Sequence, residues 1–323
     1  MHIGSTPSGT PGPATAAPPS GTRGPGTAAP PSGRQTSSVG AVTALTEALG
    51  HPHDARLLII SCANLGQAHG ANEAIFESLR SGLGTTATLM VPCAWSRDAA
   101  SRYRGEDVGV QLTLNAELER FRWGPITMSP SLLDGDGGFP RTVADLWDHA
   151  DLDEVRRECW AQTERAILWG FDVTHLDAHL GALQRRPEFF DVFAELANEF
   201  ALPICLPADA DERSIGFPAR ELAEQEGIVS PDHVVEVRGR PTRSVIEHAL
   251  FNLEEGVTEL KVRPAIDAPE IRGLDPHWSE RVEDYLVTAH DPGVRDLIDK
   301  SGAILIGYRE LRAAQRAGAN VAG

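Results

Sequence analysis

Three ionisable side chains alternate with apolar ones in a short segment of the chain, VTHLDAHLG at 173–181. Side chains in a β-strand alternate between its two faces, so His175, Asp177 and His179 would share one face. Burying such groups is costly unless they are paired or open onto a wet pocket. Imidazole and carboxylate groups held together in a pocket can transfer protons or bind a metal ion. The alternative is a structural cluster with no chemical role.

Other polar residues stand at or near the ends of predicted strands. Asn64 follows the run RLLIISC, Gln111 interrupts the run DVGVQLTL, and Arg263 follows VTELKV. The carboxyl ends of parallel strands meet at one edge of a sheet, where α/β proteins place their sites. We therefore expect these residues to lie near His179. For Gln111 a buried core amide is the alternative, and for Arg263 a surface ion pair.

Short apolar runs alternate with helical segments along the body of the chain. Buried parallel strands are typically continuous apolar runs. The pattern predicts an α/β fold, a (β/α) barrel of about seven or eight parallel strands, with a doubly wound open sheet as the alternative. The predicted strands are 56–62, 85–91, 107–114, 173–179, 203–206, 233–237, 257–262 and 303–307.

The N-terminal segment has a different composition from the rest. It is rich in Pro, Gly and Ala, and the sequence TAAPPSG occurs at 15–21 and again at 27–33. Such a segment has too few apolar side chains to offset the entropy lost on ordering. We expect residues 1–50 to form a disordered low-complexity tail and residues 51–323 to form a single barrel domain.

Composition excludes several classes of function. The chain has 29 Lys and Arg against 46 Asp and Glu, a net charge of −17, which disfavours binding to nucleic acid or an anionic membrane. No run approaches the roughly 18 apolar residues of a membrane span. The four cysteines lack metal or redox spacing, and the N-terminus lacks the pattern of a secretory signal. We expect a cytoplasmic protein that acts on a small molecule.

These segments resemble the YdjC/ChbG carbohydrate deacetylases, also called ChbG/HpnK, over about 56–312. RLLIISCANLG is similar to the family's opening strand, which carries Asn-Ala-Asp-Asp before a Gly. DVGVQLTL is similar to its Val-Gly-Val-His-Leu-Thr-Leu, VTHLDAHLG to its Thr-His-Leu-Asp-Ser-His, and TELKVRPA to its strand ending in His-Pro. The resemblance implies a (β/α) barrel that removes the acetyl group from an N-acetylated amino sugar. It also implies a divalent metal such as Mg²⁺ or Zn²⁺, held by an Asp and two His, that activates water.

Several functional positions of that family hold other residues here. Ala63 stands at the position of the catalytic base, and Asn64 at that of the metal carboxylate. Gln111 stands at the first metal His, Arg263 at the His that protonates the leaving amine, and His179 keeps the second metal His. Neutral amide oxygens suit hard cations only alongside carboxylates, and Arg cannot act as a general acid. We therefore expect no metal cofactor; if an ion bound, its ligands would be His179, Asn64 and Gln111.

Three functions are compatible with this pattern. The favoured one is a small-molecule enzyme that has lost the metal and, with it, the deacetylase reaction. In that enzyme His179 or His175 would act as the base and Asp177 would orient it. Arg263 would stabilise developing negative charge. The alternatives are a non-catalytic ligand-binding protein and a metal-dependent deacetylase of N-acetylated amino sugars that still works.

The expected ligand is small and either amino-sugar-like or anionic. Ala63, Asn64, Gln111 and Trp123 are the residues expected to contact it. Trp123 belongs to a long aromatic loop at 115–141 that could form a wall of the site or a contact in a homodimer.

Overall fold

A seven-stranded sheet forms the centre of the computed structural model, which describes residues 45–208, 215–239 and 241–322, with side chains up to residue 318. Its strands are β1 (Arg56–Leu65), β2 (Thr86–Leu89), β3 (Val108–Leu112), β4 (Val173–Ala178), β5 (His233–Glu236), β6 (Gly256–Val262) and β7 (Ile304–Leu305). The strand order is β4-β3-β2-β1-β6-β5, and β7 pairs with the start of β1. All of these pairs are parallel.

The sheet curls until side chains from distant strands meet inside it. Three strands separate β4 from β6, yet the Lys261 ammonium on β6 lies 2.8 Å from the Asp177 carboxylate on β4. The fold is therefore the predicted α/β arrangement, a parallel sheet curled into a partial barrel and surrounded by helices. The predicted strand at 203–206 contributes only a single bridge, between Ile204 and Leu176.

Helices pack on the outer face of the sheet and connect its strands. Two of them begin after an Asp whose carboxylate accepts hydrogen bonds from the first amide N–H groups: Asp151 precedes the helix Leu152–Leu168, and Asp291 precedes the helix Pro292–Ser301. Short 3₁₀ turns occur at Pro130–Leu132 and His179–Gly181. The helices are α1 (His69–Ser81), α2 (Ser96–Arg102), α3 (Val143–His149), α4 (Leu152–Leu168), α5 (Pro187–Phe200), α6 (Ala219–Gln225), α7 (Thr242–Phe251), α8 (Pro269–Leu274), α9 (Trp278–His290), α10 (Pro292–Ser301) and α11 (Tyr308–Ala322).

Alternation along β1 divides the core into two layers. Leu57 and Ile59 belong to an inner cluster with Tyr308 of α11, whereas Leu58 and Ile60 belong to the larger cluster beneath the helices. All four β1 side chains are buried because β1 lies in the middle of the sheet. Burying each of them contributes about 1.5–3 kcal/mol, so both layers hold β1 in place. The strand end that carries the predicted site residues is therefore firmly anchored.

Residues 45–48 form a helical turn that precedes β1. Thr46 is buried and its hydroxyl donates a hydrogen bond to the carbonyl oxygen of His53 at 3.3 Å. Leu45 and Leu49 pack against the inner cluster of the core. Residues 45–49, which lie within the predicted tail, therefore pack against the body. The rest of the predicted tail, 1–44, lies outside the described residues.

The sequence predicts no membrane-spanning segment, and the described helices were compared with the requirements of such a span. None of them combines the length and the apolar character needed to cross a bilayer. The four cysteines, Cys62, Cys93, Cys159 and Cys205, are free and buried. Burial raises the pKa of each thiol above its ordinary value, so all four behave as small neutral side chains.

Candidate functional site

A cleft of about 110 Å³ opens at the carboxyl ends of β1, β3, β4, β5 and β6. A space of this size holds only a few water molecules. It can therefore enclose the reacting group of a small ligand while the rest of the ligand stays outside. The predicted site residues that line the cleft are Ala63, Asn64, Gln111, His179 and Arg263.

β1 ends in an irregular turn that brings Ala63 and Asn64 into the cleft. The pairing register between β1 and β2 shifts between Cys62 and Leu65. Asn64 has a φ of 71°, in the left-handed region that Asn adopts more readily than most residues. Its Nδ2 donates a hydrogen bond to Oε1 of Gln67 over 3.4 Å. This strand end thus offers the cleft a neutral amide and a methyl group.

His179 follows β4 and faces a carboxylate that sequence reasoning did not identify. Its Nε2 lies 2.8 Å from Oε2 of Glu117, and the two side chains are 4% and 30% exposed. Burial raises the pKa of Glu117, but the charge and hydrogen bond of His179, together with the charge of Arg263, lower it below its ordinary value. The pair is a charge-assisted hydrogen bond at the mouth of the cleft. It can exchange a proton with a molecule bound there.

The loop after β3 holds Glu117 in position. The Nδ2 of Asn115 donates hydrogen bonds to the carbonyl oxygens of Pro140 and Thr142 at 3.0 and 2.8 Å. The Arg122 guanidinium contacts the carbonyl oxygen of Ala116, the residue before Glu117. These bonds tie both ends of the loop together, so the carboxylate is presented by a fixed backbone.

Two further contacts attach this loop to the body. The buried carboxylate of Glu158 on α4 accepts hydrogen bonds from the amide N–H groups of Ile126 and Thr127, each at 3.0 Å. Trp123 is 5% exposed, and its Nε1 donates to the carbonyl oxygen of Asn115 at 2.8 Å. The indole ring stands edge-on to His179, with ring centroids 6.2 Å apart. Trp123 therefore lies behind the imidazole and does not itself line the cleft.

Beneath the cleft, Asp177 binds two of the lining side chains. Lys261 Nζ donates to its Oδ1 at 2.8 Å, and Gln111 Nε2 donates to its Oδ2 at 3.3 Å. Asp177 is 1% exposed, so it acts on the cleft through these two side chains. Burial would lower the pKa of Lys261, but the charge of Asp177, with smaller effects from Cys205 and Glu259, raises it well above its ordinary value. Lys261 is therefore a fixed positive charge in the cleft.

Arg263 adds a second positive charge on the same side of the cleft. Its amide N–H donates to Oδ2 of Asp284 at 2.7 Å, which fixes the backbone beyond β6. Its guanidinium lies 3.9 Å from the carboxylate of Glu280 and is 24% exposed. The Nε atom is buried and has no hydrogen-bond partner among the described residues. The guanidinium therefore has donors left for a ligand.

His175 does not reach the cleft. It is fully buried inside the barrel, where its ring stacks on Tyr308 with centroids 3.7 Å apart and planes 9° apart. Thr174 Oγ1 lies 3.0 Å from its Nδ1, and a Cβ at Gly109 would lie only 2.4 Å from the same atom. Burial lowers the pKa of His175 to about 3, so its ring is neutral. The ionisable face predicted for β4 thus runs from the cleft down into the barrel.

Sequence reasoning missed Glu117 and Lys261. Lys261 carried a usable signal, because it stands two residues before Arg263 and so shares its face of the strand. Glu117 carried only a weak signal, because it lies in a loop 62 positions before His179 and no periodicity links the two residues. A carboxylate just beyond a predicted strand end was the only hint of its role.

The donors of the cleft can be compared with the needs of a divalent cation. Sites for Zn²⁺ or Mg²⁺ gather carboxylates, imidazoles or thiolates whose negative charge balances that of the ion. Within the described ranges, no three His, Cys, Asp or Glu side chains are close enough to hold a metal ion. The two carboxylates that line the cleft, Glu117 and Glu236, are each paired with a basic side chain, the other oxygen donors are neutral amides, and Lys261 and Arg263 bring two further positive charges. The described donors therefore do not fit a divalent cation.

The sequence was compared with models of known protein families. A family model described as YdjC-like protein matches residues 57–300. The chain belongs to the YdjC-like family. The match spans all of the cleft residues named above, from Ala63 to Arg263.

YdjC-like relatives include proteins named carbohydrate deacetylases. One from Thermus thermophilus is 36% identical over 250 residues, which cover 75% of this chain and 89% of the relative. Another, from Thermoanaerobacter pseudethanolicus, is 26% identical over 263 residues, which cover 80% and 100%. A crystal structure from Enterococcus faecalis, described as a cellobiose-phosphate cleavage protein, has a TM-score of 0.70 at 22% identity and covers 80% of this chain and 99% of that chain. The structural likeness supports the fold, and the YdjC-like relatives identify a carbohydrate deacetylase scaffold.

Proposed function

We propose that this YdjC-like protein is a small-molecule enzyme that hydrolyses an acyl amide, such as the acetamido group of an amino sugar, without a metal ion. The observation that carries the proposal is the 2.8 Å contact between His179 and Glu117 in a cleft that also holds Lys261 and Arg263. Glu117 supplies the proton acceptor that Ala63 lacks. The relatives named carbohydrate deacetylases suggest the reaction class.

The His179–Glu117 pair would perform the proton transfers. A water molecule adds to the acyl carbon, and the pair takes up the proton that the water loses. The carbon–nitrogen bond then breaks, and the pair returns the proton to the leaving amine. The products are a carboxylic acid, ionised at neutral pH, and a free amino group. One imidazole–carboxylate pair therefore replaces the separate base and acid of the deacetylases that this sequence resembles.

Lys261 and Arg263 would stabilise the negative charge that develops on the acyl oxygen. Fixed cations and hydrogen-bond donors aimed at such an oxygen lower the barrier most when little water is present. Lys261 is held by Asp177, and Arg263 keeps a buried Nε without a partner among the described residues. This arrangement gives Arg263 the role predicted for it and gives Asp177 a positioning role toward Lys261 rather than toward a histidine.

The remaining cleft residues would bind the substrate. Gln111 donates its Nε2 hydrogen to Asp177, so its Oε1 is the free end of the amide, and that oxygen is buried without a partner among the described residues. It can accept a hydrogen bond from the N–H of the substrate amide. Asn64 and Ala63 would contact the acyl group from the end of β1. We assign His175 no chemical role, because it lies outside the cleft.

The test is hydrolysis of N-acetylglucosamine and N,N′-diacetylchitobiose by protein stripped with a chelator, followed as release of free amine. We expect turnover to survive chelation and Glu117→Gln to lower kcat by about a hundredfold or more. Glu236→Gln is the matched control, because Glu236 is a carboxylate of the same cleft that pairs with Arg238 at 2.8 Å. The control should keep the wild-type rate. Turnover that requires added Mg²⁺ or Zn²⁺ would instead identify a metal-dependent deacetylase.

A second candidate function is the binding of an anion without catalysis. The cleft concentrates Lys261, Arg238 and Arg263 in a protein whose net charge is −17. A cleft that is positively charged, on a protein that is negatively charged overall, attracts an anionic ligand. Saturable binding of a carboxylated sugar with no turnover of either acetylated sugar would favour this function.

A further inference from the structure

Beneath the cleft, the Lys261 ammonium forms a buried ion pair with the Asp177 carboxylate. We infer that the Lys261 ammonium is a resident cation, which occupies the Asp177 carboxylate and so excludes a divalent ion from the cleft while supplying positive charge there. The inference rests on the proposed metal-free function, and it adds the reason why no ion is needed. It also predicts that an ion can be readmitted by removing one side chain.

Both oxygen atoms of Asp177 already accept a hydrogen bond from a protein donor. Lys261 Nζ occupies Oδ1 at 2.8 Å, and Gln111 Nε2 occupies Oδ2 at 3.3 Å. Asp177 is also nearly inaccessible to solvent. An ion could use this carboxylate only by displacing the ammonium, which would place two cations against one anion.

The charge balance explains why the pair persists. A buried carboxylate without a partner is strongly destabilising, and so is the removal of one member of a buried ion pair. Lys261 comes from β6 and Asp177 from β4, so the pair also ties together two strands that are not neighbours in the sheet. The ammonium side chain is 13% exposed, which leaves part of it facing the cleft. Lys261 Nζ also donates to Sγ of Cys205 at 3.4 Å, which leaves one of its three protons for a ligand oxygen.

Removing Lys261 would convert the same place into an ion site. Lys261→Ala opens space next to Asp177 and frees its Oδ1. The donors left around the vacated space would be the freed oxygen of Asp177 and the amide oxygen of Gln111. This set has one carboxylate and one amide oxygen, with water able to fill the other coordination positions and with one positive charge fewer than in wild type. Such donors suit Zn²⁺ or Mn²⁺ far better than the wild-type set does.

The experiment measures bound metal after equilibration with Zn²⁺ or Mn²⁺ and desalting, together with the melting temperature with and without the ion. Wild type should retain no stoichiometric ion. Lys261→Ala should retain about one ion per chain and bind it about tenfold tighter or more than wild type does. Arg238→Ala is the matched control, because this substitution removes another positive charge of the cleft but leaves Asp177 paired with Lys261. It should behave as wild type.

A second variant separates folding from binding. Lys261→Ala with Asp177→Asn removes both charges, so it should fold without an ion and bind none. If Lys261→Ala alone is unstable, Zn²⁺ should raise its melting temperature and leave that of the double variant unchanged. No rise, or equal binding by both variants, overturns the inference while leaving the proposed metal-free function intact. A stoichiometric ion in wild type would overturn both.

Discussion

His175 on β4 and His179, just beyond the end of that strand, are four residues apart, and the structure gives them opposite properties. The ring of His175 is stacked flat on Tyr308 with no access to solvent, and burial lowers its pKa to about 3. The ring of His179 meets the partly exposed carboxylate of Glu117. Alternation along a strand decides which face a side chain occupies. Depth along the strand decides whether that side chain can meet a substrate.

The largest expected difference between the two histidines is in catalysis. We expect His179→Ala to lower kcat/KM for the acetylated sugar by about 10²–10⁴, because the variant removes half of the proton-transfer pair. The folded fraction of His175→Ala should keep a rate within a few-fold of wild type. Steady-state kinetics on both proteins, corrected for the folded fraction, makes the comparison. Equal losses of kcat/KM in the two variants would contradict the proposal that His179 takes part in catalysis and His175 does not.

The comparison reverses for stability. We expect His175→Ala to lower the free energy of unfolding by about 3 kcal/mol, because it leaves a cavity against Tyr308 and Gly109. His179→Ala should cost less than about 1 kcal/mol, because its ring lies at the edge of a cleft that water can fill. Urea unfolding of both variants measures the two costs. A larger cost at His179 would mean that the cleft, and not the interior, holds the fold together.

The pH dependence of stability sharpens the contrast further. His175 has an ordinary pKa of 6.5 when unfolded and about 3 when folded, so the unfolded chain binds more protons between these values. Stability therefore rises with pH through this window and is complete above about pH 6.5. On acidification, wild type should lose about 1 kcal/mol per pH unit relative to His175→Leu. Urea midpoints at about pH 7, 6 and 5 test this, and parallel curves for the two proteins would contradict it.

The smallest effect expected concerns the hydroxyl beside His175. Thr174 Oγ1 donates to Asp107 at 2.5 Å and lies 3.0 Å from the His175 ring. Thr174→Val should cost about 1 kcal/mol, because it removes one of the two hydroxyls that donate to Oδ1 of Asp107 and leaves the buried Nδ1 of His175 without its hydrogen-bond partner. Thr88→Val is the matched control, because the Thr88 hydroxyl is buried with no partner among the described residues and its removal should be neutral or stabilising. Thermal unfolding of both variants measures whether loss of the hydrogen bonds of Thr174 lowers the melting temperature more than the same Thr-to-Val change does at Thr88.

Much of the fold could be predicted because buried parallel strands leave continuous apolar runs in the sequence. β1 and β6 were predicted to within a few residues, and the site was placed at the strand ends by the general rule for such sheets. The run at 203–206 reads like a strand yet forms one bridge, because pairing depends on partners that lie elsewhere in the chain. Local composition cannot specify those partners.

The site was predicted only in part. Asn64, Gln111, His179 and Arg263 meet in one cleft as expected, because each stands at a strand end. Sequence reasoning could not reveal how deep His175 lies, since period two gives the face and not the depth. Nor could it place Glu117, which a loop tethered to Glu158 carries to His179. The roles of these residues in chemistry stay predictions.

Tyr308 has a consequence for the order in which the molecule is built. It lies at the start of α11, the last described helix, yet its hydroxyl donates to Glu259 at 2.7 Å and its ring covers His175. Synthesis proceeds from the N-terminus, so both of these groups leave the ribosome well before Tyr308 does. In the nascent chain, His175 and Glu259 therefore lack their contacts with Tyr308 until α11 has been synthesised. Ribosome-bound chains that end before Tyr308 should be cut by protease within β4 and β6, and chains that include α11 should resist.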